Sequence, residues 1–557
     1  MTDPSTSAAL QETPDLNGAF PRLNEQQLAT LESLGERRRA GPGEVLFREG
    51  DPSCDFYAVA SGTVAIIDGY GGPDEDVIGV HGAGRFLGEL NALTGEAVFV
   101  TGVVSEESEL IEVPVERLRQ LVAQGSALGD LILRTYLIRR SILIGLGTGF
   151  RIIGSRYSPD TRRLREFATR NRLPHRFIDL ESDQVAETLL RQLGVPPEDT
   201  PVVLWRGEHL LRNPSNADLA ALIGLKVPVP SETLTDLVVV GAGPAGLAAS
   251  LYGASEGLTT LTVDAIATGG QAGTSPRIEN YLGFPSGLSG SELAERAVIQ
   301  AEKFGAQISV PCEATGLEVV DGHYVISLDD GFQILARSVV IASGVSYRKL
   351  DVLRLAEFEG TSVYYAATQV EAKSCVGDPV VVVGGGNSAG QAALFLAKHA
   401  AHVTLVVRHH DIDRDMSRYL ADQVVRHPGI DVRMDSEVRE LVGERGRLEA
   451  VAVENIQSRD RERLAARSLF VFIGAEPHVG WLADRVALDH GGYVLTGQAA
   501  QDRACDDRPR SFLETSQPGV FAAGDVRSGS IKRVAAAVGE GSMAIRLVHE
   551  YLAEPDR

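Results

Sequence analysis

The residues from Leu237 to Gly246 read L-V-V-V-G-A-G-P-A-G, a buried-strand pattern that runs directly into a glycine-rich turn. An apolar helical stretch follows to about Glu256, so the turn stands between a strand and a helix. In such a G-x-G-x-x-G turn the first glycine makes the bend and the second lets the backbone approach a pyrophosphate. The third lets helix and strand pack closely, and a carboxylate about 20 residues on accepts from ribose hydroxyls. This pattern predicts a dinucleotide-binding fold with contacts from Gly241, Gly243, Pro244, Ala245, Gly246 and Asp264.

A second copy of the pattern lies further along the chain. Val380 to Val383 reads as a strand, and G-G-G-N-S-A and a helical stretch follow it. The next strand, Val403 to Val407, ends in Arg408 and carries no carboxylate. A basic residue there pairs with a ribose 2′-phosphate, so the pattern predicts NADP(H) rather than NAD(H). The predicted contacts are Gly384, Gly386, Asn387, Ser388, Ala389, Arg408, and more weakly His409 and Arg414.

Composition limits the classes of partner. The 557 residues carry a net charge of −22, which argues against nucleic acid, since phosphate backbones need a basic face. Neither a secretory leader nor an uninterrupted apolar run of about 18 residues is visible, so we predict a cytoplasmic protein without a membrane span. The four cysteines, Cys54, Cys312, Cys375 and Cys505, are far apart and form no C-x-x-C, which predicts no metal site.

Changes of pattern along the chain predict several domains. Short apolar runs with glycine-bearing turns predict an N-terminal β-roll with helices, and alternating strands and helices predict the small α/β domain after it. Two Rossmann-like α/β domains complete this multidomain fold. The predicted limits are a disordered tail at 1–21, the roll at 22–147, the small domain at 148–227, a first dinucleotide domain at 232–357 and 467–557, and a second at 358–466.

The region from about Leu234 onward resembles the low-molecular-weight thioredoxin reductases. G-G-Q at 269–271 and I-E-N-Y-L-G-F-P at 278–285 look like the segment of that family near the flavin, and V-F-A-A-G-D-V at 520–526 looks like its second FAD motif. The resemblance implies FAD and NADP(H) as cofactors, with Asp525 on the ribityl chain. It adds Gly270, Gln271, Asn280, Gly524, Asp525, Lys532, Arg533 and Val534 to the predicted FAD contacts.

The chain departs from that family at the redox centre. The family carries Y-C-A-T-C in its NADPH domain, whereas this sequence reads Tyr365-Ala366-Ala367-Thr368-Gln369. Alanine and glutamine form neither a thiolate nor a disulfide, so no redox-active dithiol and no catalytic residue is predicted here. Cys375 is interpreted as structural and Cys505 as a surface thiol. A lone histidine, His478, is also interpreted as structural.

Two further resemblances cover the first half of the chain. Residues 148–227 resemble the glutaredoxin and thioredoxin fold, in which Pro201 would follow a cis peptide bond, but Ser158-Pro159-Asp160-Thr161 stands where C-x-x-C is expected. The N-terminal domain resembles cyclic-nucleotide-binding domains through F-L-G-E-L at 86–90, where Glu89 would take a ribose hydroxyl. The arginine for the cyclic phosphate is missing from the stretch 96–101, so an anionic nucleotide should bind weakly.

These observations leave three functions open. The first is a thioredoxin-reductase-like flavoprotein oxidoreductase that passes hydride from NADPH to FAD and on to an unidentified acceptor, such as a small redox protein. The second is a ferredoxin-, flavodoxin- or quinone-type NADP reductase, which needs no cysteine. The third is a sensor of flavin or nucleotide state with little turnover. The helix after the N-terminal roll resembles the dimerisation helix of related regulators and predicts a homodimer.

Overall fold

The computed structural model describes most of the chain between residues 11 and 553. The exceptions are 16–17, 73–74, 95–96, 125, 157, 184–185, 187, 189, 192–193, 206–208, 226–233, 276–277, 279–280, 360, 366, 368–371, 373–374, 445–446, 483 and 505–507. The described helices are α1 (Glu25–Leu34), α2 (Glu89–Thr94), α3 (Val115–Ala123), α4 (Ala127–Leu146), α5 (Pro159–Arg170), α6 (Asn216–Leu222), α7 (Pro244–Ser255), α8 (Gly270–Gly273), α9 (Gly290–Lys303), α10 (Leu355–Phe358), α11 (Asn387–Leu396), α12 (Arg418–Arg426), α13 (Gln498–Gln501) and α14 (Val534–Leu552).

The described strands, like the helices, follow the predicted change from a β-rich first part to an alternating second part. They are β1 (Glu36–Ala40), β2 (Val45–Phe47), β3 (Phe56–Ser61), β4 (Val64–Asp68), β5 (Asp76–His81), β6 (Phe86–Leu87), β7 (Thr101–Val104), β8 (Ser108–Val113), β9 (Phe150–Gly154), β10 (His175–Asp179), β11 (Val202–Trp205), β12 (His209–Arg212), β13 (Thr235–Val240), β14 (Thr260–Val263), β15 (Gln307–Ser309), β16 (Ala314–Val320), β17 (His323–Leu328), β18 (Gln333–Ile341), β19 (Val345–Tyr347), β20 (Val363–Tyr364), β21 (Pro379–Val383), β22 (His402–Val406), β23 (Ile430–Arg433), β24 (Ser436–Glu444), β25 (Arg447–Asn455), β26 (Arg461–Ala465), β27 (Ser468–Val471), β28 (Ala475–Pro477) and β29 (Val520–Ala522).

The chain divides into two compact units. The first contains Met1–Gly344, Val479–Asp489 and Val494–Arg557, and the second contains Val345–His478 and His490–Tyr493. The second unit is wider than the predicted 358–466 because β19 and β28 pair with each other in antiparallel register. The strands that connect the two dinucleotide folds therefore lie with the second fold.

The N-terminal part of the first unit consists of two four-stranded antiparallel sheets, in the orders β1-β8-β3-β6 and β2-β7-β4-β5. The prediction of a disordered tail is wrong for its described residues. Phe20 is buried, because its ring contacts His81 and the guanidinium of Arg139, and the backbone of Thr13 pairs with Val80. The helical part that follows the roll is two helices, α3 and α4, since Ser126 caps α4 by accepting from the backbone N–H of Gly129.

The next part of the first unit is a four-stranded sheet in the order β10-β9-β11-β12. Strands β9 and β10 are parallel, whereas β11 runs antiparallel to both of its neighbours. Helix α5 begins after Ser158, whose side chain accepts from the backbone N–H of Thr161. The peptide bond between Thr200 and Pro201 is cis.

The remainder of the first unit is a seven-stranded sheet that β29 joins through β18. Strands β13, β14, β15, β18 and β29 are parallel, and Val238 and Val239 are fully buried, as expected for a strand covered on both faces. The second unit has a five-stranded parallel sheet in the order β20-β27-β21-β22-β23 and a three-stranded antiparallel sheet of β24, β25 and β26.

Candidate functional site: two nucleotide-binding turns

The turn between β13 and α7 is shaped by its glycines. Gly241 has φ +111°, and a Cβ there would overlap the carbonyl oxygen of Ala342. A Cβ at Gly246 would overlap the carbonyl oxygen of Gly241, so this position brings helix and strand together. Gly243, by contrast, is open, because a Cβ would meet only the Cα of Gly270 at 3.8 Å. The backbone at Gly243, followed by Pro244 as the first residue of α7, can therefore approach a phosphate at the helix N-terminus.

Asp264 lies at the end of β14, beside this turn. Its Oδ2 accepts from the backbone N–H of Ala242 at 2.8 Å, and its Oδ1 accepts from Ile266 and Ala267 at 2.9 and 3.1 Å. These bonds fix the carboxylate at the edge of the turn, where the sequence predicts its contact with ribose hydroxyls.

The distant segments predicted to meet FAD converge on the same turn. The backbone N–H of Gly269 donates to the carbonyl of Ala242 at 2.7 Å, so α8, with Gly270 and the exposed Gln271, follows directly from that contact. Asn280 lies outside the described residues. Gly524 has φ +79°, and a Cβ there would lie 2.9 Å from that of Ala245. Motifs almost 300 residues apart in the sequence are thus neighbours in space.

Asp525 is the residue of this group with the most informative environment. Burial and the nearby Glu540 raise its pKa above the ordinary value, while Lys532 acts in the opposite direction. No described residue donates a hydrogen bond to its carboxylate. A half-buried acceptor of this kind suits the hydroxyls of a ribityl chain. Arg533 stands at the N-cap position of α14 and Val534 begins the helix. Val534 lines a groove of about 270 Å³ together with Pro244 and Gly269.

Sequence reasoning missed a supporting pair behind this segment. Glu540 on α14 accepts from the backbone N–H of Gly524 at 2.7 Å and pairs with Arg527, whose Nε lies 3.2 Å from the same oxygen. The side chain of Arg527 is 10% exposed and that of Glu540 is 13% exposed, so both are nearly buried. The pair holds the Gly524 turn against α14. Neither residue belongs to a recognisable motif, so only the fold reveals it.

The second turn, in the second unit, repeats the geometry of the first. Gly384 has φ +143°, and a Cβ would overlap the carbonyl oxygen of Phe472. Gly386 precedes α11, which begins with Asn387 and Ser388, and Ala389 is fully buried where the first turn has its third glycine. The side chain of Asn387 accepts from the backbone N–H of Ser417 at 2.7 Å, which ties the start of α11 to the loop after β22.

The three cations predicted to meet a 2′-phosphate all follow β22 but differ in their surroundings. Arg414 Nη1 lies 3.1 Å from His409 Nδ1, and Arg414 Nε lies 3.8 Å from a carboxylate oxygen of Asp415. Arg408 is exposed and has no hydrogen-bond or ion-pair partner among the described residues. Arg408 is therefore the cation that is most available to a phosphate.

The cysteine positions lie in different cores. Cys312 is buried in the core of the first unit and Cys375 in that of the second, whereas Cys54 is partly buried in the N-terminal domain. The side chain of Cys375 donates to the carbonyl of Ala372. Of the stretch predicted to replace C-x-x-C, Ala366, Thr368 and Gln369 lie outside the described residues, as does Cys505, and Ala367 is half-buried.

Two dinucleotide turns in one chain, one followed by an acid and the other by a base, define an oxidoreductase that binds two nucleotide cofactors. Residues 235–541 match the pyridine nucleotide-disulphide oxidoreductase family, and residues 37–125 match the cyclic nucleotide-binding domain family. The chain belongs to the pyridine nucleotide-disulphide oxidoreductases, and the thioredoxin-reductase relatives imply FAD and NADPH as its cofactors. The predicted multidomain class, with an N-terminal β domain and a reductase-like dinucleotide fold, is confirmed to that extent.

Curated relatives cover about three fifths of this chain. A 34.2 kDa protein in the rubredoxin operon of Clostridium pasteurianum is 32% identical over 58% of this chain and 98% of its own length. The thioredoxin reductase of Treponema pallidum is 33% identical over 58% of this chain and 98% of its own length. The NADPH-dependent thioredoxin reductase 3 of Arabidopsis thaliana is 30% identical over 62% of this chain and 65% of its own length. Among the described residues, no helix combines the length and apolarity needed to cross a membrane.

Proposed function

We propose that this protein is a thioredoxin-reductase-like flavoprotein that uses NADPH to reduce FAD and passes the electrons to an acceptor without a dithiol of its own. The observation that carries the proposal is the sequence at 365–369, Y-A-A-T-Q, in a chain whose four cysteines form no C-x-x-C. The bound flavin would supply the hydride-accepting chemistry.

The residues of the chain hold and orient the two nucleotides. The open backbone at Gly243 and the N-terminus of α7 would bind the FAD pyrophosphate, and Asp525 would accept from the ribityl hydroxyls. In the second unit the N-terminus of α11 would bind the NADPH pyrophosphate, and Arg408 would pair with its 2′-phosphate. The buried pair of Glu540 and Arg527 positions the Gly524 turn and touches neither nucleotide in this assignment.

The surroundings of the cysteines support an acceptor outside the chain. Burial, together with the nearby Glu89, raises the pKa of the Cys54 thiol, so it is a poor nucleophile. Cys312 and Cys375 lie in two separate cores. A one-electron carrier protein such as ferredoxin or flavodoxin, a quinone or oxygen needs no cysteine.

The small domain at 148–227 is proposed to be a thioredoxin-like fold that has lost its dithiol. Its strand order supports this, because two parallel strands are followed by two antiparallel strands on one edge. Thr161, the last residue of S-P-D-T, lies beside Pro201, since a Cβ on Gly154 would touch both side chains. We also propose that the protein is a homodimer and that it is located in the cytoplasm.

The experiment is a stopped-flow measurement of the flavin absorbance under anaerobic conditions, with NADPH and NADH mixed in separately. We expect NADPH to bleach the flavin faster than NADH. A second mix then adds thioredoxin, ferredoxin, a quinone or oxygen, and we expect reoxidation by a one-electron carrier or a quinone but not by thioredoxin. Fast reoxidation by thioredoxin would contradict the proposal, and an absence of bleaching with either nucleotide would exclude a reductase.

A second candidate function, a sensor that controls the flavin domain, is favoured by a buried cluster around Glu295 on α9. Its carboxylate accepts from the hydroxyl of Tyr136, pairs with Arg172, and lies 3.5 Å from Arg140 Nε. Tyr136 and Arg140 belong to α4 of the N-terminal domain, and Arg172 belongs to the small domain. One carboxylate, 9% exposed, therefore joins three domains of the first unit.

Replacing the buried charge tests this candidate. Glu295→Gln removes the negative charge that faces Arg140 and Arg172, and removing one partner of a buried ion pair costs about 3–5 kcal/mol in comparable pairs. Glu292→Gln is the matched control, because Glu292 lies one turn earlier on α9 and forms an exposed pair with Arg296. A sensor predicts that Glu295→Gln changes the rate of flavin reduction while Glu292→Gln does not. Equal rates in both variants and the wild type would exclude control through this cluster.

A further inference from the structure

A small cavity lies inside the N-terminal domain, between the sheets and α4. Its walls are almost wholly apolar and include Phe47, Ile66, Val98, Val100 and Leu143. Its volume is about 80 Å³, far below the roughly 300 Å³ at which sites for drug-sized ligands begin. The cavity therefore suits a single small ring or a short chain.

Three polar side chains on the cavity wall are buried and retain an unused atom. His81, Glu89 and Arg139 are 3%, 1% and 6% exposed. Neither His81 Nδ1, Glu89 Oε2 nor Arg139 Nη2 has a hydrogen-bond partner among the residues that the structure describes. Buried polar atoms are normally paired, so unused polar atoms on one wall of a cavity point to a polar group on a bound ligand.

The charges on this wall cancel. Arg139 Nη1 donates to Glu89 Oε1 at 2.8 Å, and burial together with the neighbouring Arg139 and Arg85 lowers the pKa of His81 well below its usual range, which leaves the imidazole neutral. A charged ligand would bring a buried charge without a counter-ion into this site, whereas a neutral ligand would not.

The same contacts argue against a cyclic nucleotide. Arg139 cannot turn to a phosphate without losing bonds from Nε to Ala19 and from Nη1 to Phe86 and Glu89. Its guanidinium also lies 4.8 Å from the centre of the Phe86 ring. Glu89, which the resemblance would place on a ribose hydroxyl, pairs through Oε1 with Arg139 and keeps only Oε2 for a ligand hydroxyl. The phosphate-binding arginine is expected within the stretch 96–101. Ala97 to Val100 instead form part of the apolar wall of the cavity.

We propose that the N-terminal domain binds a small, uncharged apolar molecule with one hydroxyl group, such as a phenol or a small alcohol. A hydroxyl both donates and accepts, so it can donate to Glu89 Oε2 and accept from Arg139 Nη2. The ring or chain of the molecule then covers the apolar wall, which supplies most of the affinity.

The test uses ¹⁹F NMR on the full-length flavoprotein, with 4-fluorophenol as the probe. Saturable line broadening by the wild type is expected, and unlabelled phenol should reverse it. Because loss of the hydroxyl leaves buried groups unpaired, 4-fluorotoluene should bind at least about fivefold more weakly. The 4-fluorobenzoate anion and cyclic AMP should not compete at concentrations that saturate phenol.

Variants that fill the cavity show where the probe binds. Gly79 lines the cavity on β5, and a Cβ there meets its neighbours only at 3.8 Å or more, so Gly79→Leu should fill the space without a clash at Cβ. Gly145→Leu on α4 is the matched control, since that position is open. Broadening should disappear in Gly79→Leu and persist in Gly145→Leu. If Gly79→Leu does not fold, Ile78→Trp on the same strand replaces it.

Three results would overturn the proposal. These are no broadening by the wild type, equal broadening by a folded cavity-filling variant, and tighter binding of cyclic AMP than of phenol.

Discussion

Removing the guanidinium of Arg408 should weaken NADPH specifically. Hydrogen bonds to charged groups are worth about 1.5–3 kcal/mol, and since Arg408 is exposed, the lower end applies. About 1.5 kcal/mol corresponds to roughly a tenfold change in affinity. Arg408→Ala should therefore raise the NADPH concentration for half-maximal flavin reduction about tenfold and leave that for NADH unchanged. The assay is anaerobic stopped-flow absorbance over a range of nucleotide concentrations.

The neighbouring arginine provides the matched control. Arg414 contacts His409 and lies 3.8 Å from Asp415, and its side chain is 58% exposed. Arg414→Ala should change the NADPH dependence by no more than about threefold, as for an exposed ion pair. An equal loss with NADH in Arg408→Ala, or a larger loss in Arg414→Ala than in Arg408→Ala, would refute the assignment of Arg408 to the 2′-phosphate.

Three further results are expected. Gly246→Ala should abolish the retention of FAD, because its Cβ would overlap the carbonyl oxygen of Gly241. The measurement is the ratio of flavin to protein absorbance. Gly257→Ala is the control for loss of a glycine, since this position has φ +91° and lies on an open loop. Asp525→Asn should lower FAD affinity yet flatten the pH dependence of apoprotein stability. The pKa of Asp525 is raised on folding, so its contribution to the free energy of unfolding is present at low pH and is lost as pH rises through the folded pKa. Thermal unfolding of the wild type and the variant between about pH 4 and 7 checks this. Phenol should alter the flavin reduction rate in the wild type but not in Glu295→Gln, if α4 carries the signal; an equal response in both would exclude that route.

The nucleotide turns could be predicted from the sequence because their physics is local. A strand, two tight glycines and a helix N-terminus lie within about ten residues, and each glycine has a steric reason visible in the motif. Gly241 and Gly384 have the positive φ that such a turn requires. The same locality makes Ser126 a recognisable helix start, since its side chain accepts from the backbone N–H three residues on.

The remaining site features depend on contacts between distant segments. Tyr136 and Glu295 are 159 residues apart, and nothing near either residue indicates the partner. Arg139 lies in an apolar stretch of α4, and nothing in the local sequence indicates that it is buried against Glu89. The sequence predicts a disordered tail at 1–21, whereas the ring of Phe20 packs in the fold. Such pairs become visible only when packing brings the elements together.

The central claim is that electrons leave the flavin without a dithiol. An anaerobic reductive titration of the purified yellow protein tests it most directly, because a flavin alone stores one electron pair per chain, whereas a flavin with a redox-active disulfide stores two. We predict that one equivalent of reductant completes the bleaching and that no further equivalent is consumed. Uptake of a second electron pair per chain would contradict the account.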